Sequence, residues 1–270
     1  MKIGIFYQSG NNYVACYKSL EQLRKYYPVI PISLYEDNSH FLEEVSNKFN
    51  CQYTHIGSCG FSGSSKTYGR VYKPNGDIQE AYKWVTRIYQ ALNSTLKDVD
   101  WIIHYEDDVW CKNIITKLPA MDLMGANGPL YTKELYNYLK NKFNIKDESR
   151  NHWSSNGSLE SYGACGGTIF SRIAFLKCYE NFWNIPWDEI YKLDNRVVEY
   201  CDAHLSFIFQ WNGYKTGVWN DWSQYDAKNI GNWWDKTGWT VPMEEQSDVA
   251  FIHGYKHYYN YSKEDICIID

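Results

Sequence analysis

Short β-prone runs alternate with amphipathic helical stretches through the first hundred residues, and this alternation constrains the fold more than any other feature of the chain. Residues 2–7 (KIGIFY) are β-branched and aromatic, which reads as a strand. From Tyr13 onward, Val14, Tyr17, Leu20, Leu23 and Tyr27 recur at helical spacing, and Pro28 ends the helix. Residues 29–34 give a second strand that delivers Glu36, Asp37, Asn38 and Ser39 into a loop. A short helix over 41–49 and a third strand over 52–56 follow. The Gly/Ser-rich stretch GSCGFSGSSKTYG at 57–69 is a long loop of the kind that is functional or mobile in compact domains. Asp77 and Glu80 then make a capping-box pattern for a helix whose buried face is Ile78, Ala81, Val85, Ile88 and Leu92. A fourth strand covers 100–105. The pattern predicts an α/β fold with a central, mostly parallel mixed sheet flanked by helices.

The second half is less regular. YGACGGTIFSR at 162–172 reads as a strand whose glycines allow a close approach to the backbone. A helix is expected over 173–183 and another over 196–211, capped by Asp194 or Asn195 and stopped by Gly213. The tail carries a Trp-dense stretch at 218–239 and then VAFIHGYKHYY at 249–259. No internal repeat or linker divides the 270 residues, so a single domain is expected.

Composition narrows the function. With 27 basic and 32 acidic residues the net charge is -5, which gives no electrostatic footprint for duplex nucleic acid. The longest apolar runs fall far short of the ~20 residues that cross a bilayer, and the N-terminus has no signal-peptide pattern. The eight cysteines are spread singly with no C-x-x-C, which argues against a zinc site and fits reduced thiols in a cytoplasmic protein.

WIIHYEDDVW, residues 101–110, sets three carboxylates side by side directly after an apolar strand. A run of like charge is most often a solvated face. In parallel α/β sheets, however, ligands bind beyond the carboxyl ends of strands, where this run lies. Strand alternation would put Glu106 and Asp108 on one side and Asp107 on the other. Paired carboxylates with backbone oxygens nearby suit a hard divalent cation, Mn²⁺ or Mg²⁺.

The surrounding motifs sharpen that expectation. EDD after an apolar strand, an opening strand–helix–strand unit ending in EDNS, a later GG strand and CDAHL on a helix occur here in one order. That ordered set resembles the GT-A class of nucleotide-sugar glycosyltransferases. The resemblance implies a Rossmann-like GT-A domain, with 1–110 as the nucleotide-sugar-binding half and 111–270 as the acceptor-binding half. EDD stands at the family's D-x-D position, with Glu in place of the first Asp. It implies Asp108 as metal ligand, Glu106 beside the metal or on the ribose, and Asp107 among the donor contacts. By the same resemblance Asp37 would contact base or ribose, with plain turn chemistry of Asp37, Asn38 and Ser39 as the alternative, and Tyr7 would stack on or flank the base. Gly166 and Gly167 would let the backbone approach the sugar, with close strand packing as the alternative. Arg70, with Lys66, would approach phosphate or be a plain surface charge.

The family's acceptor base falls in an E-D-x-x-L motif, matched here by Cys201, Asp202, Ala203, His204 and Leu205. Asp202 is therefore the candidate base, and Glu199, one turn earlier, is its rival. At about 100° per residue, Val198, Cys201, Leu205, Ile208 and Phe209 share one face. Asp202 borders that face and Glu199 points away, and partial desolvation of a border carboxylate raises its pKa toward that of a base. In the tail the resemblance implies His253 as a second metal ligand, with His257 as the alternative, and Lys256 on the diphosphate. Trp219, Trp222, Trp233, Trp234 and Trp239 would be an acceptor platform or core. His104 is expected to be a core histidine.

The expected activity is metal-dependent transfer of a sugar from a nucleotide-diphosphate sugar, UDP being the commoner choice, to a hydroxyl of a glycan or other acceptor, with inversion. A non-catalytic carbohydrate-binding protein with an aromatic-rich site is one alternative. A metal-dependent nucleotidyltransferase is another, although QSGNNYVAC after the first strand lacks that class's Gly-rich basic loop. No Walker A or G-x-G-x-x-G sequence occurs.

Overall fold

The computed structural model describes residues 2–9, 12–36, 42–55, 78–117, 119–125, 127–144, 160–162, 167–199, 201–218, 223–224, 250–253, 258 and 261–266. For residues 80, 127–130, 160–162, 199, 202, 218, 223–224 and 252–253 the backbone alone is described. The alternation expected in the first half is present as β1 (Ile3–Ser9), α1 (Tyr13–Tyr26), β2 (Ile32–Glu36), α2 (Glu43–Lys48), β3 (Gln52–His55), α3 (Gln79–Leu92) and β4 (Trp101–Glu106). After it come β5 (Val109–Cys111), β6 (Leu123–Gly125), β7 (Asn127–Leu130), α4 (Lys133–Lys142), β8 (Glu160–Tyr162) and β9 (Thr168–Ser171). The chain continues through α5 (Arg172–Glu180), α6 (Trp187–Leu193), α7 (Arg196–Glu199), α8 (Cys201–Trp211), β10 (Thr216–Val218), β11 (Ser223–Gln224) and β12 (Phe251–His253).

The central sheet has seven strands in the order β10-β6-β9-β4-β1-β2-β3. β9 runs antiparallel to both its neighbours, while the other pairs in the sheet are parallel. The fold is thus α/β with a mostly parallel mixed sheet, and strands from both halves of the sequence share it. β11-β12-β5 form a second, three-stranded sheet, and β7-β8 a third.

Strand alternation divides the core in two. Ile5, Tyr7, Leu34, Ile103, Tyr105 and Ile169 face the α1 side, packed with Leu20 and Leu23. Phe6, Tyr35, Ile102 and Phe170 face the other side, packed with α3, α5 and α8. At the amino edge of the sheet Arg24 ties the α1 side together. Its guanidinium donates to the carbonyls of Phe49 at 2.8 Å, Tyr27 at 3.1 Å, Ile30 at 2.8 Å and Asn50 at 3.0 Å.

Two expectations need correction. The second strand starts at Ile32, because Pro31 has no N–H to give the ladder, and Val29 is left 90% exposed. The stretch 162–172 is not one strand: β8 pairs with β7, whereas β9 joins the central sheet. Helical backbone over Arg196–Glu199 (α7) and Cys201–Trp211 (α8), on either side of residue 200, which lies outside the described residues, agrees with the helix expected over 196–211. Asp194 does cap this region, its carboxylate accepting from the backbone N–H of Arg196 at 3.1 Å and of Thr132 at 2.8 Å. Among the described residues, no helix is long and apolar enough to cross a membrane. Cys16, Cys51, Cys111, Cys178 and Cys201 are free thiols.

Candidate functional site

β4 ends at Glu106, and Asp107 and Asp108 form the turn that carries the chain from the central sheet into β5 of the small sheet. The middle carboxylate points inward. Tyr7 Oη donates to Asp107 Oδ1 at 3.0 Å and Ser9 Oγ donates to Asp107 Oδ2 at 2.9 Å, so both oxygens are engaged from the end of β1. Beyond the turn, Ser19 Oγ of α1 donates to the Val109 carbonyl at 2.8 Å, and Gln22 Nε2 donates to that of Cys111 at 2.8 Å. The turn is thus held by four hydrogen bonds from β1 and α1. Glu106 is partly exposed, whereas Asp107 and Asp108 are buried.

Tyr7 is fully buried, and burial first, then Cys16 and Asp107, push its phenol well above the usual tyrosine range. A phenol that stays protonated is a constant donor to Asp107. Its enclosed ring offers no face to a nucleobase, so here Tyr7 orients the carboxylate turn instead.

The same edge receives the tail. β12 pairs antiparallel with β5, setting His253 opposite Val109, the residue after Asp108. β12 is seated on the central sheet through Gly167. A Cβ there would lie 2.9 Å from Phe251 Cβ, and the backbone φ of +81° also favours glycine. The close approach expected at Gly167 is therefore made by Phe251. Among the described residues, no three His, Cys, Asp or Glu side chains are gathered as a cation site, and His253 enters that description through its backbone only.

On the α3/α8 side, Trp84 Nε1 donates to Gln8 Oε1 at 2.7 Å, and Gln8 is the register partner of Glu106. The Trp84 ring lies 6.3 Å from His204. His204 is fully buried, stacks on Trp187 at 5.1 Å, and its Nδ1 lies 2.8 Å from the Val197 carbonyl. Burial lowers its pKa to about 4, so it is neutral at physiological pH. Asp202 lies two residues earlier in α8, and only its backbone is described. The single buried face expected for this helix is not what forms. Residues 203–210 are buried all round, so amphipathic periodicity gives no basis for choosing Asp202 over Glu199. His104 is a core residue, packed against Phe6 and Trp84.

Sequence reasoning passed over Glu36. It ends β2 in register with Ser9 of β1 and His55 of β3, and it is fully buried. Tyr53 Oη donates to Glu36 Oε2, and His55 Nδ1 lies 3.8 Å from that same oxygen. Among the described residues, Glu36 Oε1 has no hydrogen-bond partner. The signal was present as the first letter of EDNS, but the resemblance drew attention to Asp37. Asp37, Arg70, Lys66, Gly166, Lys256, His257 and the five tryptophans at 219–239 lie outside the described residues.

No protein-family model and no curated protein sequence matches the chain. Among solved structures it is similar to the galactosyltransferase LgtC in complex with donor and acceptor sugar analogues. The likeness covers 94% of this chain and 86% of that one, at 13% identity and a TM-score of 0.42. A likeness of that degree assigns neither family nor activity.

Proposed function

We propose that this chain is a metal-dependent glycosyltransferase that moves a sugar from a nucleotide-diphosphate sugar, of the UDP class, to an acceptor hydroxyl with inversion. The observation that carries this reading is the β5–β12 pairing, which brings His253 to the residue after Asp108 at the carboxyl edge of β4. Segments distant in the sequence meet where α/β sheets bind ligands. Carboxylate oxygens from Glu106 and Asp108 with an imidazole nitrogen from His253 would make a donor set suited to Mn²⁺ or Mg²⁺. A divalent cation held there would supply Lewis-acid stabilisation of the leaving diphosphate.

The chain's own residues would do the rest. Tyr7 and Ser9 hold Asp107, which fixes the turn and aims its neighbours. Glu36 Oε1, which has no hydrogen-bond partner among the described residues, supports a donor contact at the end of β2, accepting from a ribose hydroxyl or a base N–H, in place of or beside Asp37. Lys256, with Arg70, would offset charge developing on the diphosphate. Asp202 would take the acceptor proton as that oxygen attacks the anomeric carbon from the face opposite the diphosphate, with Glu199 as the rival base.

Calorimetry with UDP, with and without Mn²⁺, tests the donor site. Binding should require the metal and should vanish in Asp108→Ala, and metal-independent binding would overturn the assignment. Screening nucleotide sugars for a raised melting temperature in Mn²⁺ then identifies the donor, because a ligand that binds only the folded state raises it. Asp202→Asn should keep donor binding and stop turnover. If Glu199→Gln does so instead, the base is Glu199.

A further inference from the structure

A strip of stacked aromatic rings runs over the surface between α3 and α5, outside the donor site. Tyr179 stacks on Tyr89 with ring centres 4.2 Å apart and on Tyr82 at 5.7 Å, the planes nearly parallel in both cases. Trp183 packs on Tyr82 at 4.7 Å and remains 50% exposed. The hydroxyls are organised too: Tyr179 Oη lies 3.1 Å from Tyr82 Oη and 3.2 Å from Thr86 Oγ1. Exposed amides border the indole. Asn181 Nδ2 donates to Asn212 Oδ1 at 2.8 Å, and Asn184 Nδ2 points to Asn181 Oδ1 at 3.4 Å. The nearby charges cancel, with Lys177 paired to Glu180 at 2.6 Å.

The topology carries one end of this strip toward the carboxyl edge of the central sheet. β9 runs antiparallel to β4, so α5 begins at the amino edge, where Arg172 donates to the Leu92 carbonyl, and climbs toward the carboxyl edge. Trp183 sits in the short 3-10 turn just past its top. Directly beneath, Phe182 meets Trp183 edge-on at 5.1 Å and lies 5.7 Å from His204, two residues from Asp202. The exposed indole is thus one ring removed from the helix that carries the candidate base.

We propose that Trp183, backed by Tyr82 and flanked by Asn181 and Asn184, is an outer subsite for a neutral glycan, the portion of an acceptor that extends beyond the hydroxyl being glycosylated. Flat rings suit the C–H faces of sugars, and amides suit their hydroxyls. A charged polymer finds no opposite charge on the patch. One half-exposed indole is also far too small for a stable protein interface, which needs about 800 Å² per partner. The acceptor role rests on the glycosyltransferase reading; the glycan site itself does not.

Binding of the purified full chain to an array of neutral oligosaccharides, two to six sugars long, tests the proposal. The wild type and Asp108→Ala should bind the same oligosaccharides. Trp183→Ala should lose roughly tenfold in affinity and Trp183→Tyr should keep most of it, as expected for a stacking contact. A melting temperature for Trp183→Ala close to that of the wild type identifies the loss as local; if that variant melts early, Asn184→Ala serves with the same expected loss. Absence of any oligosaccharide binding by the wild type, or unchanged binding by Trp183→Ala, overturns the subsite. Oligosaccharide binding through Trp183 with no Mn²⁺-dependent nucleotide binding would remove the transferase reading and leave the glycan site standing.

Discussion

Under α1, the carboxylate turn after β4 is fixed by directed hydrogen bonds: Tyr7 and Ser9 to Asp107, Ser19 to Val109, Gln22 to Cys111. On the opposite face of the same sheet, under α3, α5 and α8, rings fill the space. Trp84, His104, His204, Phe182 and Trp187 form a chain of ring contacts. The two faces therefore do different work. Hydrogen bonds set the position and direction of a backbone turn, which a site built on Asp108 requires. Ring packing sets volume and excludes water, which determines the protonation of groups such as His204.

The comparison predicts different failures on the two sides. The largest loss is expected on the ring face. Trp84→Ala removes a fully buried indole and should cost about 3–5 kcal/mol in urea denaturation, while Trp84→Phe should cost distinctly less. Asp107→Ala on the hydrogen-bonded face leaves two buried hydroxyls without their acceptor and should cost about 3 kcal/mol. Unlike the Trp84 variants, it should also weaken Mn²⁺-dependent nucleotide binding if the turn aims Asp108, and equal effects on binding from both faces would erase the distinction.

The next effect is a dependence on pH. The folded-state pKa of His204, about 4, lies below the ordinary value of 6.5, so the folded state favours the neutral ring. Its contribution is complete above about pH 6.5 and is lost as pH falls toward 4. Between pH 7 and 5 this should remove about 2 kcal/mol of stability, and His204→Phe should flatten that limb of the profile. The smallest effect is at the junction with β12. Gly167→Ala meets Phe251 and an unfavourable φ, and should cost about 1–2 kcal/mol by thermal denaturation.

The regular half of the fold was legible because each element there is locally consistent. α1 has Asn12 as its cap, the side chain accepting from Ala15 N at 2.9 Å, and Pro28 follows close after its end. Strand boundaries were less legible: Pro31 shifted β2, and the junction between β8 and β9 lies where glycines give little periodic signal. The choice of a base by helix face over 196–211 failed for a different reason. A periodicity argument assumes one wet face, and α8 has none over 203–210. Glu36 was missed because its burial depends on Tyr53 and on its strand neighbours, which no local pattern reveals.

The sequence alone determined the α/β alternation, the carboxylate run at the end of an apolar strand, and the two-sided patterning of each strand, because these depend on neighbours within a turn or a strand. Tertiary structure alone decided that Asp107 turns inward, that His253 comes to the residue after Asp108, and that α8 is enclosed on all sides. Each of those facts requires two segments distant in the chain to meet, and pairing energies between such segments are not written in the local spacing of either one.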